Sequence, residues 1–254
     1  MPLYLWFGLL LDLTTAAVFF SLGAIVLRRE RHADAAVRLA TIAFASWWFA
    51  VAVQQGISGV RILLAAAEAP LTIIVGLQFA TLAALALGLA GLLYYLLFLG
   101  TGRSLVSWPI LLGYCAYIGW LVQLLGNRGP IAYEATASGV TILYRTPFDR
   151  PESIALLLGL IAPQLLAVVG LLLVAFRLPR SAGRTRTMVT ALGIALWFAF
   201  ALTTSGERDL PDVVRVLYDL MPLLVGVGIH LAYQPPRWLA RHMPPELPSA
   251  AVQT

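Results

Sequence analysis

Lysine is absent: all 17 basic side chains in the 254 residues are arginine. A Schiff base needs a lysine amine, so a retinal-linked opsin is excluded. Charge of either sign is scarce, at 11% of residues against 60% hydrophobic. A soluble domain carries about a quarter charged residues to solvate its surface. That shortage excludes a soluble enzyme, a disordered chain and a nucleic-acid-binding domain. Cysteine occurs once, as Cys115 in an apolar run, which excludes an internal disulfide and argues against a cysteine-ligated metal. Two of the three histidines, His32 and His242, fall in arginine-rich segments, so a haem within the membrane finds no second axial ligand beside His230. No cofactor is expected.

What is present is apolar length. A bilayer core of about 30 Å needs about 20 apolar residues in a helix. Seven stretches qualify: 3–27, 37–57, 70–99, 105–125, 153–176, 188–204 and 213–233, the second with room to run past Gly59 towards Leu64. The first is too long for the apolar part of a signal peptide and reads as a span. The pattern predicts an all-α polytopic membrane protein, a seven-transmembrane-helix bundle over 1–234, followed by an interfacial segment and tail over 235–254. In that last segment Pro235 and Pro236 end helical continuity. Trp238 and Leu239 beside Arg237 and Arg241 then fit a short helix at headgroup depth.

Orientation follows from arginine, which collects on the cytoplasmic side of inserted chains. With connections assigned alternately, one side receives eleven arginines and three acids, the other six arginines and seven acids. The amino terminus is therefore expected outside and the carboxyl terminus in the cytoplasm. The net charge of +5 then reflects topology and attraction to anionic lipid headgroups, and no nucleic-acid partner is expected. The localisation this implies is a bacterial inner membrane.

One connection stands apart. The outer segment 126–152 holds Ile131-Ala132-Tyr133-Glu134-Ala135 and Val140-Thr141-Ile142-Leu143-Tyr144 around Ala137-Ser138-Gly139. β-Branched and aromatic residues flanking a small-residue turn predict a β-hairpin, here a lid over the outer end of the bundle.

Polar side chains are costly in hydrocarbon and usually face protein or water. At 1.5 Å per residue, Asp12 and Gln78 lie well inside the first and third spans from the outer side. Gln164 follows Pro163 in the fifth span, and Arg215, Tyr218 and Asp219 occupy the outer third of the seventh. These six residues predict an outward-facing polar cavity that binds a small amphipathic ligand. Arg215 and Asp219 share a helix face, and adjacency of the first and last helices would add Asp12 to make a triad. Pro163 and Pro222 are expected kinks. His230, and the pairs Trp47-Trp48 and Tyr94-Tyr95, read as packing or interface residues, as does the stripe Tyr114, Tyr117, Trp120. Gly88 and Gly91 permit close helix approach. Zinc-protease, serine-hydrolase, phosphate-loop and lipid-transferase motifs are missing, so the chain reads as no enzyme.

An arginine cluster follows the first span (Leu27-Arg28-Arg29-Glu30-Arg31), a tryptophan pair lies in the second (Trp47-Trp48), and a long outer segment precedes the fifth. A second basic connection (Arg184-Thr185-Arg186-Thr187) precedes the sixth. In these features the chain loosely resembles the amino-terminal seven-transmembrane sensor regions of bacterial histidine kinases and cyclases. The resemblance implies a receptor or sensor that reports a stimulus to an output module. This chain carries no such module, so a separate signalling protein is expected as partner. The alternatives are a transporter or proton-coupled carrier, using Asp12 and Asp219 as relay groups, and a membrane scaffold or accessory subunit.

Overall fold

In hydrocarbon a backbone must satisfy its own hydrogen bonds, and an apolar run does so as a helix. The computed structural model describes residues 3–29, 35–102, 108–136, 139–146, 149–204 and 212–245; side chains of 201–219 are not among those described. The apolar runs form α1 (Leu3–Arg29), α2 (Ala35–Ala66), α3 (Leu71–Thr101), α4 (Trp108–Asn127), α5 (Arg150–Arg177), α6 (Ala182–Thr204) and α7 (Asp212–Tyr233), and a single turn, α8 (Arg237–Ala240), follows. Helices α1 to α5 are each long and apolar enough to cross a membrane, which marks the chain as a polytopic, predominantly helical membrane protein. Only part of α6 and of α7 is described, and the apolar described part of α7 is Leu220–Tyr233.

α2 takes the longer of the two bounds read from the sequence, continuing without a break past Ile57 to Ala66, so Arg61, counted above with a connection, lies within the helix. A tight turn with Glu68 in the left-handed region (φ 55°) then leads to α3. α3 ends at Gly102, whose left-handed φ of 65° lets its N–H close back onto the Phe98 carbonyl. α5 begins with a capping box: the Glu152 N–H donates to Asp149 Oδ1 (2.9 Å), and the Asp149 N–H donates to Glu152 Oε2 (3.1 Å).

α1 lies against both α2 and α7, α2 against α3, α3 against α5, α5 against α6 and α6 against α7, so six helices close a ring. α4 stands outside it, leaning on α3 and tied to α5 where the Tyr114 hydroxyl donates to the Gly159 carbonyl (3.0 Å). The adjacency of the first and last helices is thus observed. Gly226 on α7 faces Val18 and Phe19 on α1, and His230 Nδ1 meets Ser21 Oγ at 3.2 Å. Because the Ser21 hydroxyl donates to Val18 O (2.7 Å), the imidazole N–H is the donor towards serine.

The core is aromatic. Trp47, Trp48 and Phe19 are at most 1% exposed. Phe19 stacks on Trp48 and Trp197, Trp47 tilts against Trp197, and Phe44 stacks on Tyr95. The tryptophan pair therefore anchors the interior, not the membrane interface. Tyr114, Tyr117 and Trp120 form the expected contiguous stripe on α4. Gly88 and Gly91 bring α3 directly onto α2. A Cβ at Gly88 would sit 2.4 Å from Ala50 Cβ, and one at Gly91 2.1 Å from Ser46 Oγ.

Between α4 and α5 the expected hairpin is present, β1 (Pro130–Thr136) against β2 (Gly139–Tyr144), antiparallel, with Ala135 opposite Val140 and Tyr133 opposite Ile142. An irregularity at Pro130–Ala132 offsets the register at its base. Arg28, Arg29, Arg177, Arg180 and Arg237 lie at the other end of the bundle.

Candidate functional site at the hairpin end

Strand alternation gives the hairpin two faces. Glu134 and Thr141 are exposed. On the other face, Tyr133, Ala135, Val140 and Ile142 pack with Leu5 and Leu9 of α1, Ile62 and Ala65 of α2 and Ile74 of α3. The hairpin therefore lies down on the ends of the first three helices. Beneath it these side chains form an apolar cluster. The reason is the alternation itself, which supplies four apolar side chains to the underside.

Within this apolar surface sits one charge. Arg61 continues the stripe of α2 that runs through buried Trp47 and Val51 and half-buried Gln54 and Ser58, and it is only 7% exposed. A buried guanidinium persists only where its donors find acceptors. Nη1 donates to Gln78 Oε1 of α3, and Nη2 donates to the backbone carbonyl of Val140 in β2. Nε, also buried, has no hydrogen-bond acceptor among the described residues. Asp12 of α1 and Tyr144 of β2 lie within electrostatic reach of the guanidinium. The Asp12 Cβ also borders Gly59, two residues before Arg61 on α2, where an added Cβ would lie 3.4 Å from it. One arginine thus joins α1, α2, α3 and the hairpin. On the strand, burial pushes the Tyr144 phenol above its ordinary range, and the Arg61 charge pulls it partly back.

Two further ties hold the hairpin. The Tyr133 hydroxyl donates to the Ala69 carbonyl (2.8 Å) in the α2–α3 turn. Gly139, at a φ of 122° open chiefly to glycine, passes close to α2, leaving a Cβ only 3.3 Å from Ser58 Oγ. At the hairpin base Arg128, 9% exposed, pairs with Glu152 at the head of α5 and donates to the Thr146 carbonyl (3.5 Å).

Of the six residues singled out in the sequence, Asp12 and Gln78 gather here, around Arg61. Gln164 does not: its Nε2 donates to Leu160 O of its own helix (3.0 Å), satisfying the amide locally. The side chains of Arg215, Tyr218 and Asp219 lie outside the described residues, and with them the triad; among the described residues Asp12 lies within electrostatic reach of Arg61. Sequence reasoning missed Arg61 as a site residue because it counted the arginine with a connection. The missed signal was the uninterrupted three-and-four spacing from Trp47 to Arg61.

The opposite end has polar contacts of its own. Beyond Ser21 and His230, Arg186 Nε donates to the Ala232 carbonyl (3.2 Å), fastening α6 to α7. Between the two polar regions lies the aromatic layer of Phe19, Trp47, Trp48 and Trp197. Seven residues, about 10 Å of helix rise, separate Asp12 from Phe19 on α1. No group of three or more metal-ligating side chains occurs among the described residues. Comparison of the chain with protein-family models, with curated proteins and with solved structures finds no match.

Proposed function

We propose that the chain is a seven-helix receptor or sensor of a bacterial inner membrane, with the hairpin end outside and the arginine-rich end in the cytoplasm. It binds a small amphipathic ligand at the hairpin end and passes the change to a separate protein at the other. It performs no chemistry of its own. The observation that carries this reading is Arg61, a buried cation spent on holding a surface hairpin to three helices. A scaffold has no use for so costly a tie, since apolar packing alone would seat the hairpin. A ligand that rearranges Arg61 frees the hairpin and the ends of α1 to α3 together. α1 then conveys the shift along its whole length to α7, through Phe19 against Gly226 and Ser21 against His230. The aromatic layer favours this reading over a carrier, because it separates the two polar regions with side chains of which Phe19, Trp47 and Trp48 are almost fully buried.

The test is hydrogen exchange on the chain in lipid nanodiscs, wild type against Arg61→Gln. Faster exchange in β2 accompanied by altered exchange over 177–183 and 230–241 supports signalling across the bundle. A change confined to the hairpin contradicts it and favours the scaffold.

A further inference from the structure

The edge of a guanidinium formed by Nε and Nη2 is a two-donor fork matched to the two oxygens of a carboxylate. In Arg61 this fork is half used. Nη2 serves the Val140 carbonyl, while Nε, buried beside it, has no acceptor among the described residues. Nη1, on the far side, is held by Gln78, which fixes the plane of the group. The apolar cluster under the hairpin, with Leu5, Leu9, Ile62, Ile74 and Ile142, adjoins the fork, and Asp12 and Tyr144 lie within electrostatic reach.

We propose that the Nε–Nη2 edge of Arg61 is the headgroup site for an alkyl monocarboxylate, whose two oxygens take both donors and displace the Val140 carbonyl, releasing the hairpin. This rests on the receptor reading above and names its ligand class. The alkyl chain lies where the hairpin underside now packs, against Leu5, Leu9, Ile62 and Ile74. Exchange of a neutral carbonyl for a carboxylate at a buried cation is favourable because the carboxylate engages both donors of the fork and adds the attraction of opposite charges. The freed carbonyl and the lifted strand turn to water. Asp12 sets the selectivity. Its negative charge near the guanidinium disfavours a dianionic phosphate more than a single carboxylate, because like charges in an apolar surround repel strongly.

The experiment uses the full chain in phosphatidylcholine nanodiscs, with dodecanoate as probe and dodecanol, dodecyltrimethylammonium and dodecyl phosphate as equal-length comparisons. Saturable binding is measured against empty nanodiscs, and hydrogen exchange is followed over 139–144. Dodecanoate is expected to bind and to speed exchange in β2, with the other three having little effect. Arg61→Gln is expected to weaken binding by about ten- to a hundredfold, the loss of a charge-assisted pair. Arg61→Lys, which keeps the charge but not the fork, should weaken it as well, and Asp12→Asn should tighten it. Circular dichroism confirms that each variant remains helical, and the comparison of headgroups on the wild-type chain stands without any variant. Equal responses to the alcohol or the ammonium, equal binding of the phosphate, or undiminished binding in Arg61→Lys would overturn the assignment. If dodecanoate frees β2 through Arg61 while 177–183 and 230–241 stay unchanged, the carboxylate site stands and the signalling reading falls.

Discussion

Glycine at position 91 meets Ser46 Oγ and the Ala43 carbonyl so closely that an added Cβ would lie 2.1 Å and 2.5 Å from them. The serine can rotate away, but the carbonyl belongs to the α2 backbone and cannot. Gly91→Ala should therefore force α3 off α2 and cost about 1–3 kcal/mol, the usual range for overpacking, read as a lower unfolding temperature in detergent. Gly76, with nothing within 4 Å of its Cβ position, is the control: Gly76→Ala should leave that temperature unchanged or raise it. Tyr144 gives a second prediction at this scale. Its pKa is raised by burial, so the neutral phenol is the form that suits the docked hairpin. Stability from this group is full below about pH 10, the ordinary tyrosine value, and is lost as pH rises through the raised value. Tyr144→Phe should remove the alkaline part of the stability profile. Arg61→Gln, by removing the cation that pulls the value down, should move tyrosinate absorbance at this site to still higher pH.

The hairpin and the head of α5 form one mechanical element, because Glu152 serves both. It completes the capping box with Asp149 and pairs with Arg128 at the hairpin base. Asp149→Ala should cost about 1 kcal/mol through the lost cap and speed hydrogen exchange in the first turn of α5. Exchange unchanged in that turn would mean the cap does not hold it. The helices were legible in the sequence because each is an apolar run, and the hairpin was legible because two alternating segments flank a small-residue turn. Arg61 was not. Its acceptors lie 17 and 79 residues away, so no local window contains what offsets the cost of burying it. The polar run Gln54-Gln55-Gly56, with Ser58 and Gly59, looked like the end of a span, whereas α1 and the hairpin cover it. The same underside packing explains why polar depth suggested an open cavity: Asp12 and Gln78 are where the sequence placed them, but they serve a buried arginine under an apolar strand face.

Across the whole molecule, the ring of six helices closes where α7 meets α1, so the helix carrying Asp12 at one end also carries Ser21 and Arg29 towards the other. Arginine is concentrated at that far end, on α1, α5, α6 and α8. A receptor reading requires the hairpin end and the arginine-rich end to face opposite sides of a membrane. The direct measurement is sidedness. With Cys115→Ser as background, single cysteines replace exposed Thr141 on the hairpin and exposed Arg180 between α5 and α6, and intact cells are treated with a membrane-impermeant maleimide. The account predicts that Thr141→Cys is modified from outside and that Arg180→Cys reacts only after the membrane is opened; modification of both from the same side would contradict it.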